Sequence, residues 1–569
     1  MDRAVRGEHI MNRIVTSIAC VGVLAAVVVA CGSDKRSGFG DPTETINGTF
    51  DDGGTFEGGG ADGKKRIADP TTCEEALAAK TYVGCDYWPT VTGNLVSDVF
   101  DFAVAVANVG TEDAHATVTG PNGVNKVVAV AGGSLDKIYL PWVAELKGPS
   151  LIPMMASVLA KGGAYHLVSD RPVVVYQFNP LEFRAAGGEP GKDWTKCQKL
   201  DFTAPDCYSY SNDASLLLPS TAMTGSYRIM GSYGMSRHPM QDGTSIPDKS
   251  QPLQPGAPPY IVVTGTADGT TVSIKLSAKG SVVAGGGISA APAGGTLTFS
   301  LNAGDVAEIV GGSGRDHDFS GSLLSADKPV QVITGVPCID FPLDVVACDH
   351  VEETVFPAQT MGKHYVVMTP TGPFENKVGH AVRLYGNVDG TKLTYKPSIP
   401  TGCPSALNAG DVVECGDEVH DDFEVTGSAE FGVGMFMIGA SEADPGGGGG
   451  KPGSQGDPSQ SFAVTVEQYR LRYVFLAPTD YKTSYVDVVA GADTKLDLDK
   501  QDVSAKLKPI AGTSWFSARI KLDAGANDGV HVLTADKPVG IQVMGYGDYT
   551  TYMYPGGLNL GEIAAIPPH

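Results

Sequence analysis

The chain has 569 residues, a formal net charge of −23, 18% charged residues, 73 glycines and 37 prolines. Phosphate binding needs clustered Lys and Arg, so this balance argues against nucleic acid and against docking on anionic lipid through a basic face. So much glycine and proline suits many short strands joined by turns and does not suit helical bundles.

At the N-terminus, Arg13 precedes an apolar run from Ile14 to Ala30 that closes as Val28-Val29-Ala30-Cys31. This pattern resembles a bacterial lipoprotein signal with its lipobox, and about 17 apolar residues are at the short limit for a bilayer span. Residues 1–30 are therefore expected to be a signal peptide, with a lipid (palmitate included) on Cys31. Gly32, not Asp, follows, which points to the outer membrane or cell surface. Residues 31–66 carry almost nothing to bury and are expected to be a flexible Gly/Asp-rich tether.

Thr71 to Lys80 reads as a short helix with a threonine N-cap and acids in its first turn. A second short helix is expected near Pro153 to Ala160, and most of the remainder reads as strand. Cys20 leaves with the signal. The remaining cysteines fall into close couples, Cys73/Cys85, Cys197/Cys207, Cys338/Cys348 and Cys403/Cys415. Spacing alone does not choose among the pairings, but local disulfides are the economical expectation in an exported chain. No C-x-x-C or H-x-x-x-H spacing accompanies these cysteines, so no metal or cofactor is expected.

An internal repeat runs through the body. Ser169-Asp170-Arg171-Pro172-Val173 returns as Ala326-Asp327-Lys328-Pro329-Val330 and as Ala535-Asp536-Lys537-Pro538-Val539, with a degenerate copy at 427–437. Asp followed by Pro and an apolar run predicts a tight turn entering a strand. Ahead of it, apolar alternation on both sides of Asp268-Gly269 and Asp389-Gly390 predicts hairpins, and 485–498 supplies a version without the glycine. A Pro-led segment ending in an aromatic strand opens the units, Pro219 to Tyr227 and Pro357 to Tyr365. The expected fold is all-β: tandem or partly fused β-sandwich modules with one or two short helices, a propeller-like or larger fused sandwich being the alternative. The expected modules are 67–210 with a cysteine-bounded insertion, 211–349, 350–441 and 462–569. Residues 442–461, with five consecutive glycines, are expected to be a disordered linker.

Gly84-Cys85-Asp86-Tyr87-Trp88-Pro89, Phe100 to Asn108, Pro172 to Leu181, Ser209 to Pro219 and Pro329 to Cys338 followed by Glu352-Glu353 and Pro357 resemble one known pattern. It is that of exported bacterial (myxobacterial-type) lipoproteins similar to the N-terminal domain of the IgG Fc-binding protein. The resemblance spans 73–569 and implies an extracellular all-β module for binding and adhesion. It carries over no binding residue, and immunoglobulin Fc is not the expected partner of a bacterial lipoprotein.

No G-x-S-x-G, H-E-x-x-H or Walker motif is present. Asp316-His317-Asp318 and His420-Asp421-Asp422 could hold a cation but read better as solvated turns. Asp497, Asp499 and Asp502 lack the rest of an EF-hand loop, and Asp497 and Asp499 read as the wet face of a strand. Glu352 and Glu353, adjacent on a strand, would point to opposite faces, unlike a glycosidase pair. Tyr87, Trp88, Trp142, Trp194, Trp515, Tyr546, Tyr549, Tyr552 and Tyr554 could stack on sugars but more often serve as core or interface. The expected function is a non-catalytic, surface-anchored binding lipoprotein for a glycan or protein, meeting its ligand at loops or at the Cys197–Cys207 insertion. A passive envelope or matrix component is the alternative, and a surface polysaccharide hydrolase a third reading.

Overall fold

A strand interrupted by Asp-Lys-Pro cannot run as one flat ladder, because proline has no N–H to donate. The computed structural model describes residues 69–567 apart from 198–206, 243–245, 346–347, 417, 447–453 and 523–528; the signal, Cys31 and the tether lie outside the described residues. Here the strand does not stop at the proline. His166–Phe178, Leu323–Ile339 and Val530–Gly547 are each continuous through their Asp-Arg-Pro or Asp-Lys-Pro segment. The expected tight turn is instead a corner, where one long strand leaves one sheet and enters another.

The pairing shows this directly. Leu323 to Ala326 pairs with Thr270–Lys275, the residues from Val330 onward pair with Tyr260–Gly265 and Asp349–Thr354, and Thr224–Arg228 follows the strand around the corner, pairing with Leu323 to Ser325 and again with Val330. The same plan is built on His166–Phe178 and on Val530–Gly547. In the degenerate copy the long strand is split into Phe423–Gly427 and Phe431–Phe436, with equivalent neighbours. Among the described residues one sandwich plan thus recurs four times, all antiparallel.

The hairpin expectation needs correcting. Tyr260–Gly265 and Thr270–Lys275 do not pair with each other; each pairs with a different half of the long strand. The same holds for Ala381–Gly386 and Thr391–Lys396. The chain does reverse at Gly269 and Gly390, with φ of 63° and 67°, and Asp493 takes φ 56° where glycine is lacking. A reversal with positive φ serves an arch between two sheets as well as it serves a hairpin, and only the partner strand decides which forms.

Two side chains fasten each corner. Asp170, Asp327 and Asp536 accept the backbone N–H of His115, Thr271 and Lys495 at 2.7, 2.8 and 2.8 Å, and Ser428 does the same for Lys392 at 2.9 Å. From the other side, the hydroxyls of Tyr87, Tyr227, Tyr365 and Tyr473 donate to the carbonyls of Val173, Val330, Phe431 and Val539 at 2.5–2.7 Å. These tyrosines are buried. Each hydroxyl supplies a buried donor at the position where proline, in three of the four corners, brings none.

The first helix forms as expected, Cys73–Ala79, with Thr72 and Glu75 in a reciprocal capping box. The second does not. Val158–Ala160 is an edge strand on Val306–Glu308, and a one-turn helix lies earlier, at Ala144–Lys147. A single turn is marginal by itself, and an open strand edge offers the backbone more partners.

The last strand of each module, Ala214–Leu216, Asp349–Thr354, Gln460–Phe462 and Thr550–Pro555, touches the last strands of two other modules, so the four close a ring. Asp213 sits at its centre, fully buried. Its carboxylate accepts N–H groups from Ala214 at 2.9 Å, Glu352 at 3.0 Å, Gln460 at 2.9 Å and Met553 at 3.4 Å. Although 213–216 lies past the expected 67–210 boundary, Ala214–Leu216 pairs with Tyr176 to Phe178 and closes the first module, so one side chain of that module binds the backbone of the other three. Gln460 belongs to the stretch expected to be a disordered linker. There, 447–453 lie outside the described residues, but Ser454, Asp457, Ser459 and Ser461 are buried and a strand begins at Gln460. Polar composition hid a segment whose polar groups face a polar interior. Asp213→Ala should strand four buried N–H groups and lower stability by at least about 3 kcal/mol, read as a shifted urea midpoint.

Candidate functional site

Chemistry in this molecule divides between a buried polar centre and clefts at the rim. At the centre, Glu352 accepts from Thr92 at 2.6 Å, Gln177 at 3.0 Å and Ser215 at 3.2 Å, while Glu353 accepts the N–H groups of Thr354 at 2.9 Å and Leu216 at 3.2 Å. The two carboxylates have different partners, are fully buried and brace the ring. Burial pushes Glu308, Asp349, Glu353 and Asp457 well above the usual carboxylate range.

The expected solvated turns hold for Asp316 and Asp421, which are exposed, but the last aspartate of each His–Asp motif is buried and clasps two modules. Asp318 pairs with Arg383 at 2.5 Å, and its counterpart Asp422 pairs with Arg519 at 2.6 Å. His317 bonds Ser281 at 3.0 Å, and His420 lies 3.3 Å from Glu418. Asp497 and Asp499 alternate with buried Leu496 and Leu498. Asp499 accepts from His531 at 2.7 Å and from Val532 N–H at 2.8 Å, and Asp502 accepts Ser504 N–H at 2.9 Å. Of the aromatics, Tyr87, Trp88, Tyr546, Tyr552 and Tyr554 are core residues, while Trp142, Trp194, Trp515 and Tyr549 are half-buried.

The cysteines form the four local disulfides, Cys73–Cys85, Cys197–Cys207, Cys338–Cys348 and Cys403–Cys415, with Cα separations of 5.7, 6.0, 5.2 and 4.2 Å. Each closes a loop of ten to twelve residues, a span over which bridging stabilises by about 3 kcal/mol. Among the described residues no helix is long and apolar enough to cross a membrane.

The rim clefts lie between modules. Where the first meets the fourth, adjoining cavities of about 660 and 820 Å³ share Val109, Thr111 and Arg472. Arg472 donates to Asp69 at 3.1 Å and to the Val109 carbonyl at 3.0 Å, and its side chain keeps 30% exposure. Behind it Arg470 is buried, paired with Asp69 and Asn559 and laid over the Tyr82 ring at 4.9 Å. Asp497, Asp499 and Lys500 line the far side. The alternating Arg470-Leu471-Arg472 at the head of a strand is the one trace of this cleft in the sequence. A third cavity of about 590 Å³, with His420 and Lys377, lies between the third and fourth modules.

Residues 213–545, more than half of the chain and beginning at the ring's central aspartate, match the family described as IgGFc binding protein. The chain belongs to the IgGFc binding protein family. No curated protein matches it. A solved structure titled "Crystal structure of tetra-tandem repeat in extending region of large adhesion protein" is similar at 11% identity over 83% of this chain and 99% of its own. Its TM-score of 0.08 is too low to bear on the fold. The first module, most of it ahead of the IgGFc binding match, carries the same strand plan as the three within it.

Asp340 offers a pH test. Burial, reinforced by Asp344 and opposed by Arg237, raises its carboxyl to about 6. A folded value above the unfolded one means that stability is full below about pH 4 and falls as pH rises to about 6, by roughly 3 kcal/mol at most. Asp340→Asn should match the natural protein at pH 4 and exceed it in urea midpoint at pH 7.

Proposed function

We propose that this protein is a non-catalytic binding and adhesion lipoprotein. Lipid on Cys31 holds it at the outer membrane or cell surface, residues 31–66 act as a tether, and four modules near 67–210, 211–349, 350–441 and 462–569 meet a glycan or protein ligand. Family membership supports the binding role, and four disulfides suit an exported chain. The observation that carries the ligand site is the cleft between first and fourth modules. Its size suits a small saccharide or a peptide turn. Arg472 presents there guanidinium donors without a partner among the described residues, beside the backbone of Gly110, Gly132 and Gly133 and the acids Asp497 and Asp499. Such a mixture recognises hydroxyl and carboxylate groups through directed hydrogen bonds without one dominant charge.

The test is a binding screen of oxidised protein from residue 67 onward against arrayed glycans and matrix proteins, IgG Fc included. A saturable ligand should lose about ten- to a hundredfold in affinity with Arg472→Ala, the worth of one charge-assisted hydrogen bond. Well-folded protein without any ligand would favour a passive envelope role. Anchoring is tested separately by palmitate labelling: Cys31→Ala should abolish incorporation and release the protein from the outer-membrane fraction.

A further inference from the structure

In the first module, Asp101 stands just ahead of the strand Phe102–Asn108, and Lys192 stands in the loop that leads to the Cys197–Cys207 bridge. The Lys192 ammonium meets Asp101 Oδ2 directly, with the two side chains only 12% and 19% exposed. Lys192 lies over the Trp194 ring at 5.1 Å, and Trp194 packs edge-on to buried Phe100 at 5.2 Å. The third member is Glu182, 3% exposed. Leu181 N–H donates to the Asp101 carbonyl at 3.2 Å, which ties the backbone next to Glu182 to that of Asp101, and a Cβ at Gly187 would stand 3.9 Å from Glu182 Cγ. Burial, then the charge of Asp101, raises that carboxyl to about 7. Glu182 Oε2 is buried with no hydrogen-bond partner among the described residues. Gly187 and Gly188, at φ 76° and 83°, wrap the cluster closely: a Cβ at Gly188 would come within 2.8 Å of Lys192 Cδ and 3.0 Å of Asp101 Oδ2.

We propose that Lys192 and Asp101 become joined by an intramolecular isopeptide bond, with Glu182 relaying the proton. The parts are an amine, a carboxyl carbon and a neutral acid, enclosed among aromatic side chains that limit water. A proton passes from the ammonium to the Asp101 carboxylate, and the freed amine attacks Asp101 Cγ. Glu182 donates its proton to the departing hydroxyl and takes one back from the amine nitrogen. The Nζ–Cγ bond forms, a Cγ–O bond breaks, one water leaves and Glu182 ends as it began, so no oxidant, reductant or co-reactant is required. A second buried lysine pair marks the contrast. Lys147 is 1% exposed and meets Asp98 at 2.7 Å, but Asp98 is 76% exposed, a hydrated anion that amines do not attack. The product would fix the loop bearing the Cys197–Cys207 bridge to the first module by a link that reducing agents do not open.

The experiment is mass spectrometry of the full-length oxidised protein, intact and after trypsin, before and after reduction. The expected result is a branched peptide joining the segments of Asp101 and Lys192, lighter than their sum by one water, surviving reduction and absent from Lys192→Arg. Glu182→Gln should retain the native circular dichroism and form the branch about 100-fold more slowly. Separate, unmodified peptides from natively folded natural protein would overturn the proposal, whatever the variants do. Branch formation in Glu182→Gln at the natural rate would overturn the relay.

Discussion

The fold depends on a strand that must cross from one sheet to the other at a residue unable to donate a hydrogen bond. At Pro172, Pro329 and Pro538 the ladder loses a rung, and an unpaired buried backbone group there would cost free energy comparable to a lost hydrogen bond. The aspartate two residues earlier takes the N–H of the strand that follows the arch, and a buried tyrosine gives its hydroxyl to the carbonyl of the residue after the proline. Corner, arch and opening strand are thereby held by one set of side chains in each module. In the third module, where serine replaces aspartate and the proline is gone, the strand breaks in two but both contacts survive.

A second constraint acts between modules. Four closing strands meet around Asp213, and a centre made of backbone N–H groups from three other modules must present an acceptor to each. A carboxylate with two oxygens and about four lone-pair directions meets that demand where an apolar side chain could not. The acids that a sequence reader would examine first, Glu352, Glu353, Asp318 and Asp422, are committed to the same task of joining modules. In the proposed function recognition falls to the rim, where neighbouring modules leave gaps between their loops, and there the pairing of Arg472 with Asp69 is set by packing of segments 403 residues apart.

Several features were legible in the residues themselves. The all-β class, the capped helix at Cys73–Ala79, the repeat and the local disulfides are properties of short windows, where propensity, spacing and close cysteines act within a dozen residues. The hairpins were misread because Asp-Gly specifies a reversal and not a partner. The stretch around Gln460 was misread because its polar side chains look solvated until the buried polar centre that receives them is known. The cleft at Arg472 and the Asp101–Lys192–Glu182 cluster left almost no trace, since each gathers side chains that sequence order keeps apart.

By itself the sequence determined how the chain bends, which residues seek burial and which cysteines lie within reach of one another. All three are local, because φ preference, hydrophobicity and loop closure act along the chain. Only the tertiary structure decided that a proline turn is a sheet-changing corner, that four modules close on one aspartate, and which acids are spent inside. Those outcomes rest on backbone groups finding partners across hundreds of residues, and a hydrogen-bond donor carries no label naming its acceptor.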